Sequence, residues 1–271
     1  MSDTLTSAAA ADIAAGGGHT PRRGRLDREE WLMLVLPPVL IVVCLVVFVW
    51  WRQTATLDSV EANALRWSEI QRQVVEHIQL TAVAAAIVIL VAIPVGVLLT
   101  RRAFKPLTPI VIGIANAGQA APAVGLIVLC YLWLRDLGLG GFWVAVLVLA
   151  LYGILPVLRN TVTGIEGVDP TLVEAGRGVG MTAAGTLFAI ELRLAVPVIM
   201  SGLRTALVLI AGTAALATFI DGGGMGQTIY AGLSLFRISL MTIGAVMVAL
   251  LALFIEWLGR VLELAVSPKG A

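Results

Sequence analysis

Charge is what this sequence has least of. Asp, Glu, Lys and Arg supply 13% of its 271 residues, and 59% are hydrophobic, whereas a soluble domain carries roughly 25% charged residues. That balance excludes an ordinary soluble fold and points to the membrane class. Lysine is scarcer still, with only Lys105 and Lys269. Neither stands in G-x-x-x-x-G-K-[ST], so the chain has no phosphate-cradling loop of its own. The Gly-rich DGGGMG at 221–226 lacks that lysine and reads as a flexible turn.

Histidine is limited to His19 and His77, far apart and without Cys or carboxylates at ligand spacing, which argues against a metal site. No G-x-S-x-G elbow accompanies them, so hydrolytic catalysis is not expected. The two cysteines, Cys44 and Cys130, both fall in apolar runs and read as packing residues rather than as a disulfide. No alternating pattern suggests a β-barrel. The sequence therefore predicts a polytopic all-α membrane protein that binds no cofactor and is not an enzyme.

What is present is a series of apolar runs at 32–51, 78–100, 108–134, 139–158, 195–220 and 238–260. Each approaches the ~20 residues that a helix needs to cross a bilayer, giving about six transmembrane helices. The first run exceeds a secretory signal's apolar region and closes on Trp50 and Trp51, so an uncleaved helix is expected. With the N-terminus inside, the inner side holds Arg22, Arg23, Arg25, Arg28, Arg101, Arg102, Lys105, Arg159, Arg177, Arg193, Arg260 and Lys269. The outer side holds Arg52, Arg66, Arg72, Arg135 and Arg237. The excess predicts both termini in the cytoplasm. The basic cluster near the N-terminus sets topology rather than binding nucleic acid, and lipid is the expected surroundings.

Four regions follow: a disordered cytoplasmic tail over 1–30, a first helix and outer loop over 31–73, a main domain over 74–265, and a C-terminal tail over 266–271. Within 52–77, Leu57, Val60, Ala64, Leu65 and Ile70 are spaced for an amphipathic interfacial helix. The long inner loop, 159–194, carries helix punctuation. Asp169 caps a short helix from Thr171 to Val179 with Pro170 at its first position. Gly180 supplies a left-handed turn, and Thr182 caps a second helix running from Ala183 towards Leu192.

Few ionisable residues lie in the predicted helix centres, Arg204 being the main one, and this weakens an ion-driven carrier. Asn116 and Gln119, three apart and followed by Pro122, lie on one face that should look into the bundle, lining a path or bonding helices together. Thr213 and Thr218, near Gly212, either line the path or allow tight packing. Asp221, Gly222, Gly223 and Gly224 form an outer gate or a plain loop. Tyr131, Trp133 and Trp143 fit an interfacial belt better than a cage for a quaternary ammonium.

The stretch EAGRGVG, followed by IELRLAVP, resembles the EAA loop of ATP-binding-cassette importer permeases. Glu174, Ala175, Gly180, Ile190 and Leu192 match in register, and Pro197 matches a later proline. Gly176 replaces the third motif residue and Arg193 replaces a proline. Blocks at 75–102, 116–129, 151–182 and 197–233 look like the permease subunits of importers for glycine betaine, carnitine, choline and related osmoprotectants. The resemblance, over about 74–265, implies the type I importer transmembrane fold and the cell membrane of a prokaryote. It also implies three partners: a cytoplasmic ATPase holding ATP and Mg, an outer substrate-binding protein, and a second transmembrane subunit, identical or paralogous.

In such importers the EAA loop is the coupling helix that docks on the ATPase. The resemblance gives that role to Glu174, Ala175, Gly176, Arg177 and Gly180. Gly176 should soften the helix by about 1 kcal/mol relative to Ala, and Arg193 should let the second short helix continue towards Pro197. Two rivals stand beside this reading. One keeps the architecture with a methionine-type or taurine-type cargo; the other is a channel or secondary carrier that needs no ATPase.

Overall fold

A computed structural model describes residues 28–266. Most of the expected tails, with Arg22, Arg23, Arg25 and Lys269, lie outside the described residues. The described chain is helical throughout. Helix α1 is Arg28–Thr54, followed by a short α2, Ser59–Ala64, and by α3, Trp67–Leu99. A 3-10 turn, Lys105–Leu107, leads into α4, Thr108–Ala120, and α5, Ala123–Leu134 follows at once. Next come α6, Gly141–Glu166, α7, Pro170–Gly178, α8, Ala183–Thr186, and α9, Leu192–Ala214. The chain closes with α10, Gly226–Ser234, and α11, Ile238–Val266.

Five helical stretches are long and apolar enough to cross a membrane, and a sixth span exists if a bent pair is counted as one. The bent pair corrects the continuous span expected at 108–134. Segments 105–120 and 123–137 meet at 97°. The cause is Pro122, which lacks an N–H and pushes the preceding residue out of the α region. Ala121 accordingly has ψ 145° and Pro122 ψ 120°. The Tyr152 hydroxyl on α6 donates to the Ala121 carbonyl. That bond satisfies a backbone group which a break in lipid would otherwise orphan.

The core gathers around α6, which buries Val144, Leu149, Leu155, Leu158 and Val162 among others. Helices α3 and α9 flank it, contributing Leu80, Val88, Leu203 and Ile210 to the same cluster. Close crossing depends on small residues: a Cβ on Gly202 of α9 would lie 2.6 Å from Asn160 Cβ and 2.7 Å from the Pro156 carbonyl oxygen. Helix α1 packs against α11. Trp257 Nε1 donates to the Leu34 carbonyl at 2.8 Å, and Phe48 joins a small cluster with Met247 and Val248.

A second correction concerns 52–77. Only Ser59–Ala64 forms a separate helix there, capped by a reciprocal Asp58–Glu61 box. Helix α3 begins at Trp67, well before 78. Its first turns are polar but paired along the helix, with Arg72 bonded to Glu69 and Glu76 at the i,i+3 and i,i+4 spacings that support helix. Arg52 fastens α1 to this region: its Nε donates to the Leu65 carbonyl at 2.8 Å, and its guanidinium lies 4.8 Å from the Trp67 ring centre.

Candidate functional site

The polar interruption at 167–182 folds into a knob at one end of the bundle. The Asp169 carboxylate accepts from the Thr171 N–H at 2.9 Å, and Pro170 opens α7. Hydrogen bonds from Thr171, its backbone N–H first, hold this carboxyl below its ordinary pKa. A lowered folded value makes the cap fully effective above the ordinary carboxylate pKa and lost as pH falls through the folded one.

The helix ends in a paired turn. Met181 N–H donates to the Gly176 carbonyl at 3.1 Å and Gly180 N–H to the Arg177 carbonyl at 2.9 Å, the two bonds of a Schellman motif. Gly180 sits at φ +89° with nothing within 4 Å of a notional Cβ. Gly180→Ala should therefore cost backbone strain alone, about 1–2 kcal/mol. Amide exchange at Met181 should speed up roughly tenfold; unchanged exchange would remove the argument for this turn.

After the turn, Thr182 caps α8 by accepting from Gly185 N–H at 3.1 Å. The helix then runs on through a π turn, Leu187–Glu191, directly into α9. The expected continuation past Arg193 is therefore present, and Ala183–Ile220 forms one 38-residue stretch.

The Gly176 position has a packing reason. Gly176 is buried, and a Cβ there would lie 2.6 Å from Ile190 Cδ1 and 3.3 Å from Met181 Sδ. The small motif residue of the first arm thus receives the motif Ile190 of the second. Glu174, Ala175 and Arg177 face out. Beside them Leu172, Val179 and Phe188 are 46%, 82% and 69% exposed. Together they make a mixed apolar and charged surface.

The DGGGMG segment at the opposite end differs from the flexible turn expected. Asp221 is exposed, but Gly222, Gly223 and Gly224 are buried. Gly224 N–H donates to Glu76 Oε2 at 2.9 Å, and Met225 N–H to His77 Nδ1 at 3.3 Å. His77 Nε2 lies 2.8 Å from the Ala211 carbonyl. A carbonyl only accepts and a backbone N–H only donates, so the imidazole carries its proton on Nε2 and is neutral. This buried ring pins the glycine loop between α3 and α9. Gln73 and Thr228, both buried, add a bond of 2.7 Å between α3 and α10.

Of the expected path residues, Gln119 is half-buried and its Nε2 donates to the Tyr152 carbonyl at 3.0 Å, which bonds α4 to α6. Asn116 and Pro122 are exposed on the broken pair, and Thr213 and Thr218 are half-buried where α9 tightens towards Ala215–Ile220. Trp133 and Trp143 are exposed. Cys44 and Cys130 are free and half-buried.

Residues 92–268 match the family model described as "Binding-protein-dependent transport system inner membrane component". The chain belongs to this family. Over 202 residues it is 41% identical to the "Choline transport system permease protein OpuBB" of Bacillus subtilis (strain 168), covering 74% of this chain and 90% of that one. Over 195 residues it is 40% identical to the "Glycine betaine/carnitine/choline transport system permease protein OpuCB" of the same organism, covering 72% and 87%. The "Osmoprotectant import permease protein OsmW" of Salmonella typhimurium is 38% identical over 196 residues, covering 72% and 90%.

Among solved structures, the inward-facing MetNI methionine ABC transporter superimposes with a TM-score of 0.66 at 24% identity, covering 73% of this chain and 96% of that one. An amino acid ABC transporter with histidines gives 0.61 at 20%, covering 78% and 100%. The fold is that of an ABC importer transmembrane subunit.

This permease also pairs charges that its sequence did not announce. Arg101, two residues past the end of α3, forms a two-pronged ion pair with Glu191 of the π turn. Lys105 Nζ lies 2.9 Å from Glu166 at the end of α6. Arg204 meets Glu263 of α11 at 3.2 Å, and Glu256 borders the same recess. Arg204 is thus neutralised inside the bundle rather than left alone in an apolar helix. Each pair joins residues far apart in sequence.

Proposed function

We propose that this permease forms the translocation path of an ATP-driven importer for osmoprotectants of the glycine betaine, choline and carnitine class. The observation that carries this reading is the knob. Glu174, Ala175 and Arg177 stand exposed on a rigidly capped helix whose Gly176 is locked against Ile190. Such a surface suits a groove on a cytoplasmic ATPase that holds ATP and Mg; on this reading the knob end and both termini are cytoplasmic. The names of the relatives support the cargo class, and the family name supports delivery by an outer binding protein.

A second transmembrane subunit completes the path. Asn116 favours this, since an exposed amide on a membrane helix needs another subunit or water to satisfy it. On this reading the broken pair α4–α5, with Asn116, Pro122 and the anchored Gln119, borders the path, together with Thr213 and Thr218. The pinned loop Asp221–Gly224 is the outer gate, and chemistry on ATP belongs to the partner alone.

Two measurements test the proposal. Purified from its native membrane, the permease should bring an ATPase with it, and labelled betaine, choline or carnitine should be taken up while methionine and taurine are not. Uptake of methionine or taurine instead would overturn the cargo, and absence of any ATPase would favour a channel or secondary carrier. Asn116→Leu should lower uptake about tenfold with the ATPase still bound. Unchanged kinetics would return Asn116 to packing.

A further inference from the structure

We infer that the short segment 101–105 is a clasp that carries movement of the knob to α3 and to the broken pair α4–α5; the inference rests on the knob being the ATPase contact. The knob stands on two legs, the end of α6 and the π turn that leads into α9. Through the chain alone, displacement of the knob reaches only those two helices. Residues of α3, α4 and α5 have no covalent connection to it except through the whole of α6.

The segment 101–105 adds a polar connection to the apolar packing that joins Ile93 and Val97 of α3 to Ile165, Ala195 and Ile199, and does so on both legs. Its first cation, Arg101, grips Glu191 on the leaving leg, and its last, Lys105, grips Glu166 on the entering leg. The segment is itself fixed to its own helices. Arg101 Nε donates to the Val97 carbonyl and to Thr100 Oγ1 at 3.3 and 3.2 Å. Thr108, at the start of α4, donates its hydroxyl to the Leu99 carbonyl at 3.1 Å. A rigid chain of contacts thus runs from knob leg to linker to α4, and on to the Pro122 break.

The two pairs differ in weight. The Glu191 side chain is only 8% exposed, and a carboxylate so placed is tolerable only with a partner. The Lys105 pair is exposed on both sides, at 64% and 43%, so it guides the entering leg without holding the fold together. Glu191 is also the last residue of a π turn, the helix variant that concentrates at functional sites. Arg101 and Glu191 are therefore positioning residues.

The test uses the full importer in proteoliposomes, with uptake of labelled betaine and ATP hydrolysis measured on the same vesicles. For Arg101→Gln and Glu191→Gln, uptake per ATP hydrolysed should fall about tenfold, and for the reversed pair Arg101→Glu with Glu191→Arg it should recover to within about threefold of wild type. Lys105→Glu, at a pair the fold does not need, should lower the ratio about threefold.

A static brace would make uptake and hydrolysis fall together, leaving the ratio at its wild-type value, and would leave Lys105→Glu unchanged; either result overturns the clasp. If the single Arg101 and Glu191 variants fail to assemble, the Lys105→Glu ratio decides the question. Failure of the underlying reading is separable, because Glu174→Lys would then leave ATPase binding intact, whatever the clasp variants did.

Discussion

Glu174→Lys is expected to abolish uptake and release the ATPase while the permease still inserts and folds. The asymmetry follows from where Glu174 lies. It is exposed on α7, and among the described residues it enters no ion pair, so reversing its charge breaks no bond in this chain. On the partner's side the same change puts a cation against whatever basic group receives the carboxylate. Spoiling one member of a docked charge pair costs about 2–5 kcal/mol, or roughly 30-fold or more in affinity.

Two readouts separate the possibilities. The purified variant should elute and melt as wild type does, yet bring down no ATPase. Normal uptake would refute the assignment of the knob, and an aggregated variant would show that Glu174 has a structural role that its exposure does not suggest.

Gly226→Ala should have the largest effect on stability. Gly226 opens α10, and a Cβ there would stand 1.8 Å from the Ala215 carbonyl oxygen and 2.7 Å from its carbon. Those atoms belong to backbone at the end of α9, where the chain tightens into Ala215–Ile220. No flexible side chain can swing aside, so α10 must move away, pulling buried Met225 from its cluster with Ile70 and Val248. Overpacking against backbone costs about 3 kcal/mol, a large share of a net stability of roughly 5–15 kcal/mol.

Thermal unfolding in detergent should drop by about 6–12 °C. Gly212→Ala makes the control, since nothing lies within 4 Å of its notional Cβ, and it should melt at or above the wild-type temperature because alanine favours helix. Equal melting of Gly226→Ala and wild type would contradict the close approach.

Local signals in the sequence were sufficient for the knob. Asp169, Pro170, Gly180 and Thr182 each act within four residues of themselves, so their caps and turn could be read without a fold. The long apolar runs foretold the spans for the same reason. The break at Ala121–Pro122 went unread although Pro122 was visible. Apolar composition continues through it, and proline inside a membrane helix is often tolerated, as Pro94, Pro156 and Pro197 are here. What distinguishes Pro122 is the Tyr152 hydroxyl waiting for the freed Ala121 carbonyl, a contact 31 residues away.

The start of α3 was missed for the opposite reason. Glu69, Arg72 and Glu76 lower the hydropathy over its first turns, but they neutralise one another along the helix. Long-range partners were beyond the reach of sequence altogether. Arg101 counted only as a topology charge, and its partner Glu191 lies 90 residues on. Gly176, which read as a softening of the helix, owes its place to Ile190, a residue that only folding brings against it.

The most direct test of the account is accumulation of labelled glycine betaine in proteoliposomes that contain the permease with its ATPase and binding protein. With ATP on the knob side, accumulation should proceed against a gradient, and it should cease both without ATP and in Glu174→Lys. Accumulation that continues without ATP, or that Glu174→Lys leaves untouched, would contradict it.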